Sequence, residues 1–501
     1  MDTIAITFPQ VKINLPVEGL KFNTLEQAVF DITQRMGREV LENTLTDIDK
    51  HLQDTRPRGA LINTGKRAKY FLTRLGDIRY TRTRYIDTAT KKARYLLEEH
   101  LGIKKNQRIS LIRAKIEMFI ASISTYRGTQ KDVELLTGYR RSHEAIRQSV
   151  IKEAQGIIAY EQQMINKAMR LEDKEEYPPS SDIAYMEADS SFIRLQRRHK
   201  RKSRTYRVKI KRRRRKCIEV KLGIGYTDKV KRYNTGRGAS LKLKDKFTYA
   251  AIENGPTFME NLSLIAENRI KLSKAKAIIF GGDGGAYISA GIKDYFTGAT
   301  YILSKFHLKR NIKRILFQRP DMQLKINNLI KKDQIDKALS TIKRMLIRSK
   351  DKKKKKSLND LYVYIDQNRQ GINPVRRIDD KTIRDQIKGS GAMESNVDKF
   401  IAHRFKNRGM SWSQTGALSL LKIKQIISNN EWDNWWSNQR DEKIELIEPI
   451  RQLSAQYFMR KGRSNRPSLI EATIPALSGR DHNARWVKAI RELQKIDYYK
   501  D

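Results

Sequence analysis

The 501-residue sequence predicts an α/β core preceded by a mainly helical, basic region. Three observations predict it. Between residues 182 and 303, strand-like and helical runs follow one another as three strands, helix, strand, helix, strand. The first and fourth of these strands run into carboxylates, Asp189 and Asp283. Upstream of residue 172, most apolar residues recur at helical spacing rather than in alternation.

Composition limits the function classes. At 39% hydrophobic the chain can bury a core and divide into several domains. A formal charge of +47, spread along its length, calls for an anionic partner, and the phosphate backbone of double-stranded DNA fits best. A membrane partner fits worse, because no apolar run approaches the roughly 18 residues of a spanning helix. The start, MDTIAITFPQ, has no basic stretch followed by an apolar one. The expectation is a soluble, cytoplasmic, nucleoid-associated protein. Cys217 is the only cysteine, which excludes an internal disulfide or a paired-cysteine zinc site and suggests a small residue wholly or partly buried.

Residues 1–60 form an N-terminal helical segment, with Leu25, Val29, Ile32, Met36, Val40 and Leu41 at helical spacing over 23–53. Residues 61–172 form a DNA-binding region. It opens with a basic hairpin over 69–85, turning at Gly76-Asp77 and presenting Arg74, Arg79, Arg82 and Arg84. Further on, a helix over 130–136, a turn at Thr137-Gly138-Tyr139 and a helix over 142–153 have helix-turn-helix spacing. In such a unit Arg140, Arg141, His143, Glu144, Arg147 and Gln148 would face the major groove.

A polar stretch with Pro178 and Pro179 marks a boundary. The first part of the core, 182–307, begins with a strand over 182–189 that places Glu187 and Asp189 on one face. Asp189 is preferred as the functional group because it closes the strand, and Glu187 reads as a surface or salt-bridged carboxylate. Strands over 205–211 and 216–226 flank the basic run 211–216, which suits a hairpin tip. A helix over 256–271 leads to a strand over 276–280 that stops at Gly281-Gly282-Asp283-Gly284-Gly285. A helix over 286–296 and a strand over 299–303 follow. This order is the layout of the ribonuclease H-like fold. A helical, basic insertion fills 308–388; its lysines 352–356 read as a solvated loop and its charge favours DNA contact. In the region 389–430, Ser390 would cap a helix carrying Glu394, with Val397, Ile401 and Phe405 on the same face. A helical tail, 431–501, completes the chain.

Cleavage and transfer at phosphodiesters proceed by in-line displacement, which two divalent ions about 4 Å apart can stabilise. Mg²⁺ or Mn²⁺ would need oxygen ligands, and Asp189, Asp283 and Glu394 supply carboxylates. The segments Tyr185-Met186-Glu187-Ala188-Asp189, Gly389-Ser390-Gly391-Ala392-Met393-Glu394-Ser395 and Arg404-Phe405-Lys406-Asn407-Arg408-Gly409-Met410-Ser411-Trp412 resemble the ISLre-type insertion-sequence transposases. The likeness extends over about residues 61–421. It implies an Asp-Asp-Glu transposase with Asp189, Asp283 and Glu394 as metal ligands and His307 as an accessory catalytic group; Arg404, Lys406 and Arg408 fall to DNA. Ser304 departs from the pattern, since related proteins tend to carry aspartate three positions before the histidine. A homodimer or larger oligomer would pair two element ends. A metal-dependent nuclease of the same fold and a catalytically decayed DNA-binding protein stay open as alternatives.

Overall fold

The computed structural model describes residues 21–56, 59–169, 181–196, 217–235, 238–389 and 391–437. It divides into two compact units, Met1–Ser149 with Glu431–Asp501, and Val150–Asn430.

The first unit opens with α1 (Phe22–Thr55), followed by β1 (Leu61–Thr73), β2 (Gly76–Asp87), β3 (Ala93–Arg94) and α2 (Leu96–His100). Leu45 of α1 packs with Phe71, Ile78, Tyr80 and Leu97 in one apolar cluster. Beside it the buried Asp49 carboxylate accepts hydrogen bonds from the Thr83 N–H (3.1 Å) and hydroxyl (2.7 Å). The hairpin is longer than the sequence suggests and turns at Arg74-Leu75, because Thr73 pairs with Gly76. Gly76, at φ 118°, opens β2; a Cβ there would lie 2.3 Å from the Tyr139 ring. Of the hairpin arginines, Arg82 pairs with Glu98 and lies over the Tyr95 ring.

Next come α3 (Leu111–Ile123), α4 (Tyr126–Thr137) and α5 (His143–Met169). Thr125 caps α4, accepting from the Gly128 N–H at 2.9 Å, and left-handed Gly138 (φ 71°) ends it. Helix, turn and helix thus stand where the spacing predicts, both helices being longer than predicted.

The second unit holds β4 (Ile183–Arg194), β5 (Cys217–Tyr226), β6 (Asp228–Thr235), β7 (Gly238–Lys244), β8 (Phe247–Ala251), α6 (Gly255–Ile270), β9 (Ala277–Gly282), α7 (Ala286–Tyr295) and β10 (Thr300–Leu303). Five of the strands form a mixed sheet in the order β10-β9-β4-β5-β8; β4, β9 and β10 are parallel, and β5 is antiparallel to both neighbours. Strand alternation puts Ala184, Met186 and Ala188 into a core with Phe258, Met259 and Leu262 of α6 and Ile288 of α7. Tyr185, Glu187 and Asp189 therefore share the other face. The hairpin β6–β7 was not evident in the sequence. The expected strand 205–211 and basic tip 211–216 lie outside the described residues, and Cys217, at the start of β5, is exposed rather than buried.

The insertion comprises α8 (Lys305–Ile315), α9 (Pro320–Lys331), α10 (Ile335–Arg348), α11 (Lys352–Gln367) and α12 (Lys381–Gln386). It has its own core, including Leu308, Ile312, Ile326, Ile342, Leu361 and Ile365. Lysines 352–356 form the first turns of α11 instead of a loop; the Asp351 carboxylate caps them by accepting from the Lys353 N–H at 2.8 Å. Then follow α13 (Met393–Val397), a π-helical stretch (Asp398–Lys406) and α14 (Gln414–Ser428), whose Gln425 accepts a hydrogen bond from the Ala250 N–H of β8 (2.9 Å). The last described helix, α15 (Trp432–Ser437), belongs to the first unit, where Trp432 packs beside Phe119. No helix among the described residues is long and apolar enough to cross a membrane.

Candidate metal centre

Three adjacent parallel strands stop pairing at one level. The last rungs are Ala188 with Gly282 and Gly282 with Leu303. The next residue on each strand is Asp189, Asp283 and Ser304. Asp189 does not close its strand, as β4 runs on to Arg194 along β5; what ends there is its pairing with β9. The chain departs from the ladder on the β9 side, and that opens the space between the two carboxylates.

Each residue is held. The Ser190 N–H donates to Asp189 Oδ1 at 2.7 Å. Asp283 Oδ1 accepts from the Gly285 N–H at 2.8 Å, and its carbonyl from the Tyr364 hydroxyl at 2.8 Å. Gly284, at φ 89°, fits between Tyr364 and Asn368, so α11 braces the Asp283 turn; a Cβ would sit 2.9 Å from Asn368. The Ser304 N–H donates to the Gly282 carbonyl at 2.7 Å, and its side chain caps α8, one turn ahead of His307.

Asp189, Asp283 and His307 each offer a ligand atom within 4.8 Å of the others. Glu394 lines the same pocket outside this tight group, and its Oε1 accepts a hydrogen bond from Ser304 Oγ at 2.6 Å. Burial pushes the Asp189 carboxyl up to about 6, with Asp283 and Glu394 adding to the rise while the Ser190 N–H and His307 oppose it. Negative charge is therefore costly here until a cation enters.

Ser390 lies outside the described residues, and the start of α13 has no side-chain cap from its own sequence neighbours. Glu187 of β4 takes that role, because its carboxylate accepts from the N–H groups of Gly391, Ala392 and Met393. Sequence reasoning passed over this residue. Its position two before Asp189, on the same face, was the available signal.

Of the residues expected to meet DNA, Arg140 is exposed, 3.9 Å from Glu134. Arg141 turns inward, pairing at 2.5 Å with buried Glu117, which Arg113 also holds at 2.9 Å. Arg147 and Gln148 both donate to Glu144 (2.7 and 2.9 Å), whose carboxyl they hold down at about 2. His143, which opens α5, is half-buried. Arg404 is 1% exposed, with its guanidinium 4.8 Å from the Trp412 ring centre, so it packs the interior and presents no charge to solvent. Lys406 is exposed, and the side chain of Arg408 lies outside the described residues.

The sequence profile of an uncharacterised protein family, UPF0236, matches residues 15–437. A UPF0236 protein of Caldanaerobacter subterraneus subsp. tengcongensis, named for eleven loci, is 22% identical over 419 residues, 83% of this chain and 79% of that protein. Another from the same organism, named for four loci, is 20% identical over 421 residues, 83% and 79% of the two chains. A UPF0236 protein in the vanSb 3′ region of Streptococcus gallolyticus is 24% identical over 471 residues, 90% of this chain and 92% of that one.

Proposed function

The chain belongs to the uncharacterised protein family UPF0236, and from its site we propose that it is a DNA transposase of the Asp-Asp-Glu type, cutting and rejoining the ends of a mobile element. The observation that carries this reading is the placement of Asp189 and Asp283 one residue beyond the last rung between neighbouring parallel strands. The strand order, with only β5 running against the others, supports a ribonuclease H-like core. Relatives named for eleven and four loci support mobility, since a gene that copies or moves itself accumulates in a genome.

The donor set fits a hard divalent ion. Carboxylates and one imidazole converge, which is the donor set such an ion takes. Asp189, Asp283 and Glu394 would hold Mg²⁺ or Mn²⁺ through carboxylate oxygens.

 Two such ions, when bound, activate the attacking oxygen of an in-line displacement and neutralise the leaving one. The chain's own groups position the rest. Asp189, whose carboxyl is raised to about 6, would be held ionised to lower pH with a cation bound beside it. His307 brings an imidazole nitrogen within 4.8 Å of ligand atoms on both aspartates, where it can hydrogen-bond a phosphate held between them. Of the cations expected to meet duplex DNA, Arg140 and Lys406 are exposed, which supports their reading as phosphate contacts. Two copies would pair the two element ends at the nucleoid.

The test uses duplexes carrying the DNA that flanks the gene, beside scrambled duplexes, with Mn²⁺ present. Nicking confined to the flanking ends is the expected result. Equal cutting of both duplexes would indicate a nuclease of the same fold, and binding without cutting a decayed DNA-binding protein.

A further inference from the structure

Glu394 reaches the pocket only after a long excursion of the chain, 90 residues beyond Ser304. Its helix must therefore be tied to the sheet by non-covalent contacts. We infer that Glu187 is a positioning residue, whose buried carboxylate clamps the backbone of residues 391–393 and so sets Glu394 as a metal ligand.

Glu187 is 3% exposed. Its oxygens accept from the N–H groups of Gly391 (3.2 Å), Ala392 (3.2 Å) and Met393 (2.9 Å), and from the Tyr226 hydroxyl (2.7 Å). A carboxylate has about four acceptor sites, so these four donors satisfy it. That distinguishes it from Asp189, which among the described residues accepts one hydrogen bond, from the Ser190 N–H. The same segment is pinned just upstream. The Lys388 N–H donates to the Tyr185 hydroxyl oxygen at 2.9 Å, the Lys229 ammonium donates to the Gly389 carbonyl, and the Lys388 ammonium meets Asp228 at 2.6 Å. Because Glu187 and Asp189 are two apart on β4, one strand carries both a ligand and the clamp for another.

This inference rests on Glu394 being a ligand, and the experiment separates the two ideas. Amide hydrogen exchange on the metal-free full-length chain should show residues 391–393 exchanging at least ~10-fold faster in Glu187→Gln than in wild type, since an amide NH₂ cannot accept from all these donors. Mn²⁺ binding, read by electron paramagnetic resonance of the free ion, should weaken roughly 10-fold in the same variant. In a Glu394→Gln background, Glu187→Gln should add no further loss. Tyr226→Phe, which removes one donor and keeps the ring, should show both effects more weakly. Unchanged exchange at 391–393 would overturn the clamp. Losses of Mn²⁺ affinity that multiply between Glu187→Gln and Glu394→Gln would overturn it too, by making Glu187 an independent ligand. Wild type that binds no Mn²⁺ would overturn the proposed metal centre, and with it the positioning role, even if exchange shows the backbone contact.

Discussion

Replacing Asp189 with asparagine should stabilise the metal-free protein. The Asp189 carboxyl sits at about 6 against an ordinary 3.8, raised by burial and by Asp283. A difference of roughly two units corresponds to ~3 kcal/mol. The sign follows from the raised value. Below about 4 the group is protonated in folded and unfolded chains alike and costs nothing; above about 6 it is ionised in both, and the folded state bears the full penalty. Metal-free stability should therefore fall as pH rises from about 4 to about 6, and Asp189→Asn should abolish that fall. At ~2 cal/mol/K per residue, a unit of roughly 280 residues would gain ~5 °C in midpoint near pH 8. The assay is thermal unfolding in chelator and in excess Mn²⁺. In chelator the variant should melt higher; in Mn²⁺ the order should reverse, because ligand at about 1,000 times Kd adds ~4.1 kcal/mol to wild type alone, more than the ~3 kcal/mol the variant gains. An equal or lower midpoint for the variant in chelator near pH 8 would refute the reasoning.

Four more substitutions have expected outcomes. Gly284→Ala forces a side chain at φ 89° against Asn368 and Tyr364, so stability should drop by ~1–3 kcal/mol and Mn²⁺ affinity should fall with the shifted Asp283 turn, as calorimetry can read. Glu117→Ala leaves Arg113 and Arg141 without their buried partner; a loss of ~3–5 kcal/mol in denaturant unfolding is expected, with loss of any duplex binding that depends on α5. Arg404→Ala, which removes an interior group packed on Trp412, should lower the melting point while leaving the salt dependence of duplex binding unchanged; Lys406→Ala, at an exposed position, should reduce that salt slope by about one without altering the melting point.

The alternation around Asp189 and the glycine-flanked Asp283 were legible because strand ends and turns are local. Periodicity likewise located α1, and the insertion read as helical only as a whole. Glu187 was not legible, since the three N–H groups it holds lie some 200 residues away and only folding brings them to it. Arg141 and Arg404 looked like surface cations for the same reason. Their partners, Glu117 and the Trp412 ring, are found by tertiary packing, and charge count alone favours solvent. Lysines 352–356 read as a loop because like charges repel, yet Asp351 caps them and the apolar stripe after them, with Leu358, Leu361 and Ile365 buried, carries the helix. The hairpin β6–β7 escaped notice although Leu241 and Leu243 alternate with Lys242 and Lys244 in β7, because the charged residues of both short strands outweighed that signal.

The most direct measurement of the central claim is strand joining. Wild type and Asp283→Ala would be incubated with Mg²⁺, a precut duplex ending in the DNA that flanks the gene, and a plasmid target. The account predicts covalent joining of the duplex 3′ end to the plasmid by wild type, and none by Asp283→Ala with duplex binding retained. Equal joining by both proteins, or none by wild type that binds both DNA and Mg²⁺, would contradict it.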